Sequence, residues 1–170
     1  MRIAIDIPCA DELSALEKIY LDAFPPEERR PWESIVSGDK RLKLRAIHSD
    51  GELAGMISYW DFGGFVYVEH FAIDPDRRSG GIGSAVISIL KERVGRPVVL
   101  EVEHPSDDNP MAAHRIAFYR RNGFEILPYE YVQPPYAPGL PEVPLLLMCT
   151  DTEADADTMA KTLHSEVYGA

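Results

Sequence analysis

The stretch AIDPDRRSGGIGSAV, residues 72–86, decides how the rest of the chain is read. A strand ends at Asp74, Pro75 turns the chain outward, Arg77 and Arg78 follow, and glycines at 80, 81 and 83 open a helix. Glycine lets consecutive backbone N–H groups converge with no Cβ in the way. The unpaired amides and positive dipole end of the new helix then face an anion. Arg77 and Arg78 add forked cationic donors suited to phosphate. The plain alternative is a glycine-rich turn that only joins strand to helix. A dinucleotide loop of the form G-x-G-x-x-G, with an acid about twenty residues on, fits Gly81, Gly83 and Glu101 but puts Val86 where the third glycine belongs. A P-loop is excluded, because no Gly-Lys-Ser/Thr occurs in the chain.

Outward from this stretch the signals alternate between strand and helix. LKLRAIHS (42–49) and ELAGMISYW (52–60) flank Asp50-Gly51, a strong hairpin signal, and Gly63-Gly64 turns the chain into FVYVEHFAID (65–74). This antiparallel meander argues against a run of βα repeats. Near the start, RIAIDI (2–7) alternates as a strand. Asp11 is placed to cap a helix with Leu13, Leu16, Ile19, Tyr20 and Ala23 on one stripe, and Phe24-Pro25-Pro26 stops it. Pro31 starts a short helix that ends at Gly38. After the glycine stretch a helix runs to Val94, then PVVLEVE (97–103) reads as a buried strand and MAAHRIAFYRR (111–121) as a helix closed by Gly123. FEILPYEYV (124–132) reads as one strand, and the Pro-rich segment 133–144 leads to the strand PLLLMCT (144–150). The expected class is α/β of the α+β type: a mixed, mainly antiparallel central sheet with flanking helices.

The chain has 170 residues, the size of one domain, expected over 1–150 with an acidic tail over 151–170 that can form a short helix through Met159, Leu163 and Val167. The plain reading of that tail is a solvated one. Lys plus Arg is 17 against 28 Asp plus Glu, a net charge of −11. Such a surface disfavours nucleic acid and anionic membranes and draws in cations. With only Cys9 and Cys149 there is no disulfide framework, so reduced thiols and a cytoplasmic location are expected. No apolar run is long enough to span a membrane. Glu69-His70 and Glu103-His104 invite a metal reading. On regular strands adjacent residues face opposite sides, which leaves no chelating pair, so no metal is expected.

Two motifs together suggest a family. Arg78-Ser79-Gly80-Gly81-Ile82-Gly83 matches Q/R-x-x-G-x-G/A, and RIAFYRRNGFEI (115–126) is a helix ending in a tyrosine followed by N-G-F. In that order, with VVLEVE between them, they resemble the GNAT superfamily of N-acetyltransferases over residues 52–131. The resemblance implies acetyl-coenzyme A as co-substrate, lying where the fourth and fifth strands splay apart. Arg78, Ser79, Gly80, Gly81, Ile82, Gly83 and Ser84 would hold its pyrophosphate. Backbone groups of Phe71 and Ile73 would pair with the pantetheine arm, and an amide near Phe71 or Ala72 would serve the oxyanion. It further implies that Tyr119 protonates the leaving thiolate. Many members carry an asparagine seven residues before this tyrosine; here that place is Ala112, and Asn109 is the candidate substitute.

The chemistry also needs a base, since an ammonium of pKa about 10.4 leaves roughly one molecule in a thousand nucleophilic at neutral pH. Glu101, Glu69 and Glu103 are the candidates, each with the alternative of an edge carboxylate or an arginine's partner, such as Arg115. The resemblance implies that the acceptor pocket falls to FPPEERRPWE (24–33) and EYVQPPYAPG (130–139). Tyr129, Tyr131, Tyr136, Trp32 and Trp60 could wall it by cation–π contact, with Glu27, Glu28 and Glu33 attracting a cation. The expected activity is acetyl transfer to a primary amine of a small molecule or peptide in a ternary complex, and a homodimer is compatible with it. The competing expectation is a coenzyme A-binding or sensor module without turnover.

Overall fold

The Asp50-Gly51 turn takes positive φ at both residues, 52° and 87°, as a tight hairpin with matching twist requires. It joins β2 (Leu42–Ser49) to β3 (Glu52–Asp61), which pairs in turn with β4 (Val66–Ile73); β1 (Ile3–Asp6) lies antiparallel on the other edge of β2. These strands belong to the first of two units in the computed structural model, which describes residues 1–170; the units are Met1–Arg96 and Pro97–Ala170. Helices α1 (Leu13–Ala23), α2 (Trp32–Ser37) and α3 (Ile82–Val94) complete the first unit. Its core is built on Leu16, Tyr20, Met56, Ile57 and Tyr67. A 3₁₀ turn at Ala10–Glu12 precedes α1, so the helix begins one residue later than a cap at Asp11 suggests.

The β3–β4 register contains a bulge that alternation does not reveal. Ser58 pairs with His70 and Tyr59 with Val68, which leaves Glu69 as an extra residue on β4. The bulge breaks the two-residue period, so Glu69 Oε2 and His70 Nδ1 come within 3.9 Å. The expectation that these neighbours face opposite sides is therefore corrected.

In the second unit β8 (Val143–Cys149) is central, with β5 (Val98–Glu103) on one side and β6 (Glu125–Ile126) and β7 (Tyr131–Gln133) on the other, all antiparallel. The single strand expected over 124–132 is two short ones, because Pro128 has no N–H to give the ladder. Leu127 N–H still reaches Leu147 O (2.9 Å), Tyr129 N–H turns back to Leu127 O (2.9 Å), and pairing resumes at Tyr131.

Helix α4 (Pro110–Arg121) precedes β6 and ends at Gly123, whose φ is 88°. The acidic end of the chain is not a solvated tail. Asp155 caps α5 (Ala156–Thr162), accepting from the Thr158 N–H at 3.2 Å, and a π-helical turn follows over Leu163–Val167. Met159, Leu163 and Val167 recur every fourth residue and are buried, so the acids occupy the outer face. No helix is long and apolar enough to cross a membrane.

Candidate active site

The strand-to-helix stretch of the first unit, expected to cradle an anion, is a tight turn shaped by Asp74 and its glycines. Asp74 accepts from the Asp76 N–H (3.0 Å) and shapes a 3₁₀ turn over Pro75–Arg77. Ser79 and Gly81 both adopt positive φ, 72° and 78°, on either side of Gly80, beside which a Cβ would meet nothing within 4 Å. The first helical bond of α3 runs from Ala85 N–H to Gly81 O (3.1 Å), so the amides of Ile82, Gly83 and Ser84 are not consumed by the helix. The two arginines divide. Arg77 is paired with Glu52 (2.7 Å), whereas Arg78 Nε donates to Ile73 O (3.0 Å) and its Nη groups bind no protein atom. Arg78 thus has guanidinium donors left to offer, and Arg77 braces the turn.

Phe71, Ala72 and Ile73 pair with Ile57, Met56 and Gly55 of β3. Gly55 is a residue that sequence reasoning missed. A Cβ there would lie 2.3 Å from Ala72 O and 3.0 Å from Ile73 Cα, so only glycine lets β3 approach the strand that carries the expected cofactor contacts. Nothing in GELAG separates this glycine from a turn residue.

Glu69, on the bulge, has a fully buried side chain. Arg30 grips its Oε1 through Nε (2.8 Å) and Nη2 (2.7 Å), Trp60 Nε1–H donates to Oε2 (3.0 Å), and the guanidinium lies over the Trp60 ring at 5.3 Å. The Tyr20 hydroxyl fixes Arg30 in turn, accepting from its N–H (2.8 Å) and donating to its C=O (3.1 Å). His70 packs edge-on against Tyr20 and Phe24, and its Nε2 lies 2.8 Å from Glu28 O. A carbonyl only accepts, so Nε2 carries the proton and Nδ1 faces the Ser58 hydroxyl at 3.4 Å. Burial holds the His70 pKa below its ordinary value.

In the second unit Glu101 is half-buried on β5 and accepts from two phenols. Tyr131 donates to Oε1 at 2.9 Å, and Tyr168 lies 2.7 Å from Oε1 and 3.0 Å from Oε2. Burial, then the Glu101 charge, drive the Tyr131 phenol well above its ordinary range. Glu103 accepts from Asn109 Nδ2 and lies 3.4 Å from Arg115. Asn109 is thereby committed to Glu103, while Ala112 is buried in α4.

Tyr119, also on α4, packs against Phe118 (5.2 Å) and Phe124 (5.5 Å), and its hydroxyl has no hydrogen-bond partner; burial pushes its pKa up to about 12. Of the aromatics expected around an acceptor, Trp60 lies under Arg30 and Arg41, Trp32 packs on Tyr20, and Tyr136 packs on Tyr168. Tyr129 and Tyr131 line a cavity of about 350 Å³ together with His104, Val132, Pro144 and Leu146.

Comparison with known proteins bears on what this arrangement is for. A solved structure described as a GNAT-family acetyltransferase, from Bacteroides thetaiotaomicron, is 38% identical, covers 100% of this chain and 99% of its own, and superposes with a TM-score of 0.89. This chain belongs to the GNAT family. The GNAT acetyltransferase domain model matches residues 43–126, a span holding Glu69, the glycine loop, Glu101 and Tyr119 but neither Tyr131 nor Tyr168. A curated relative, the acetyltransferase YjbC of Bacillus subtilis, is 30% identical over 104 residues, 60% of this GNAT chain and 52% of the relative. The matched part thus spans about half the length of that curated relative. The yncA acetyltransferase of Salmonella typhimurium, solved with acetyl-coenzyme A, shares the fold at 17% identity, with a TM-score of 0.61 over 92% of this chain and 97% of its own. The GNAT fold of these neighbours is the mixed, mainly antiparallel sheet with flanking helices expected from the sequence.

Proposed function

We propose that the protein transfers the acetyl group of acetyl-coenzyme A to a primary amine by direct attack in a ternary complex. The observation that carries this reading is the cradle at the start of α3, where Arg78 offers unpaired Nη donors and the amides of Ile82, Gly83 and Ser84 precede the first helical bond. These groups suit a pyrophosphate, and bound acetyl-coenzyme A would supply the thioester to be cleaved. Phe71 and Ile73 would hold the pantetheine arm through their backbone.

The proton steps fall to side chains of the second unit. Glu101 takes the ammonium proton, and the amine nitrogen then attacks the thioester carbonyl carbon. As the C–S bond breaks, the nitrogen releases its second proton to solvent to leave the neutral amide, and Tyr119 gives its proton to the sulfur and recovers one from solvent. A phenol with a pKa of about 12 is fully protonated at neutral pH, so the donor is always charged with its proton. Glu69 and Glu103 are assigned to holding Arg30 and the Asn109–Arg115 pair. The net charge of −11 favours a cationic acceptor. Two free cysteines, Cys9 exposed and Cys149 buried, suit a reducing cytoplasm.

Calorimetry with acetyl-coenzyme A, followed by a free-thiol assay over a panel of cationic amines and peptide N-termini, tests the reading. Binding with acceptor-dependent thiol release is the expected result. Absence of binding overturns it, and binding without turnover across the panel would leave a coenzyme A sensor instead.

A further inference from the structure

The groups that hold Glu101 lie outside the span that matches the family model, and one of them comes from the turn after α5. Tyr168 follows the π-helical turn Leu163–Val167, and three contacts independent of Glu101 fix its place. Leu163 and Val167 are buried, the Tyr168 N–H returns to Leu163 O (3.3 Å), and its ring packs against Tyr136 at 5.0 Å. From there its hydroxyl lies within 3.0 Å of both oxygens of Glu101, with Tyr131 on Oε1.

Glu101 pairs across the sheet with Leu147, beside Leu145, so its nearest strand neighbour offers it no polar group. In such surroundings a carboxyl is pushed towards its neutral form, whereas phenol donors favour the anion. Within its unit the titratable groups facing it are Tyr131 from β7, Tyr168 from the turn, and Glu103 one pleat further along β5. His164 sits behind Tyr131 at 5.4 Å between ring centroids, with its Nε2 on Val132 O (2.8 Å). Glu103 is already engaged by Asn109 and Arg115.

We propose that Tyr168, assisted by Tyr131, is a positioning residue that keeps Glu101 ionised and fixed in orientation, so that the acidic end of the chain is a working part of the base. The proposal rests on the reading of Glu101 as that base. A charge-assisted hydrogen bond corresponds to a shift of about one to two pH units in the group that accepts it. The expected direction follows: losing a donor raises the Glu101 pKa, and the acid limb of the kcat/KM profile moves up with it.

The test uses the full chain with ¹³C-labelled glutamate. NMR titration of the Glu101 carboxyl in the wild type and in Tyr168→Phe should show an upward shift of about one unit. Tyr131→Phe, which removes the 2.9 Å bond to Glu101 together with the hydroxyl's contact with Tyr168, should shift it in the same sense and serves as the second variant if Tyr168→Phe unfolds. An unchanged titration in folded variants overturns the proposal. The acid limb of kcat/KM, measured with an accepted amine, should move by the same amount while acetyl-coenzyme A affinity stays within about twofold. Glu101→Gln separates the two readings. If it keeps the wild-type pH profile, Glu101 is not the base and the positioning role falls with it. If it abolishes the acid limb while Tyr168→Phe leaves the limb in place, the base assignment stands and only the role of Tyr168 is lost.

Discussion

A phenol without a hydrogen-bond partner, raised to a pKa of about 12 by burial, has one protonation state across the range of a kinetic assay. Tyr119 should therefore contribute no limb of its own to a pH–rate profile below about pH 11. Tyr119→Phe should lower kcat by about 10²- to 10⁴-fold while acetyl-coenzyme A affinity changes less than about twofold, which steady-state kinetics and calorimetry check together. His70 answers to pH in another way. It is neutral in the fold because burial depresses its pKa, while the unfolded chain takes up a proton near pH 6.5. Its contribution to stability is thus complete above about pH 6.5 and lost as pH falls towards the depressed value. Denaturant melts from pH 7.5 to 5.5 should show stability falling with a slope approaching 1.4 kcal/mol per pH unit, and His70→Gln should flatten that slope.

At the scale of elements, the Glu69 bulge shows what a single sequence can and cannot reveal. The strands, the hairpin and the glycine cradle were legible because each is written locally, in alternation, in Asp50-Gly51, or in Arg78 followed by Gly80, Gly81 and Gly83. The bulge is a matter of register between two strands, and FVYVEHFAID alternates equally well with or without it. The partnership of Glu69 with Arg30 spans 39 residues, and that of Tyr168 with Glu101 spans 67, so neither leaves a pattern in any window of sequence. Pro128, by contrast, is a local signal, yet FEILPYEYV reads as one continuous strand in spite of it. The Glu69 arrangement also has an energetic consequence. Its side chain is wholly buried, so Arg30→Ala strands a charge and should destabilise the protein by about 3–5 kcal/mol in denaturant melts. Glu69→Gln in the Arg30→Ala background should recover part of that loss, because the remaining group is neutral.

Taken as a whole, the molecule carries a charge of −11, and this long-range property was readable from composition alone. If its field gathers a cationic acceptor, kcat/KM should fall several-fold between 20 and 300 mM salt, as the screening length shortens from about 20 to 6 Å, and a neutral amine should show no such fall. An assay with matched charged and neutral acceptors measures this directly. Each unit also carries a surplus residue inside a regular element next to its candidate groups, the bulge at Glu69 in β4 and the widened turn of Leu163–Val167 just before Tyr168. Deletions are usually best tolerated in loops, because an element cannot lose a residue without a change of phase. At these two places losing a residue would restore regular strand or helix instead. A deletion scan should find the Leu163–Val167 turn permissive for folding, with Tyr168 drawn away from its carboxylate, whereas loss of Glu69 leaves Phe71 and Ala72 opposite Ile57 and Met56 but strips Arg30 of its carboxylate and so should cost stability. The shortened turn before Tyr168 would mark where length, rather than residue identity, encodes the site.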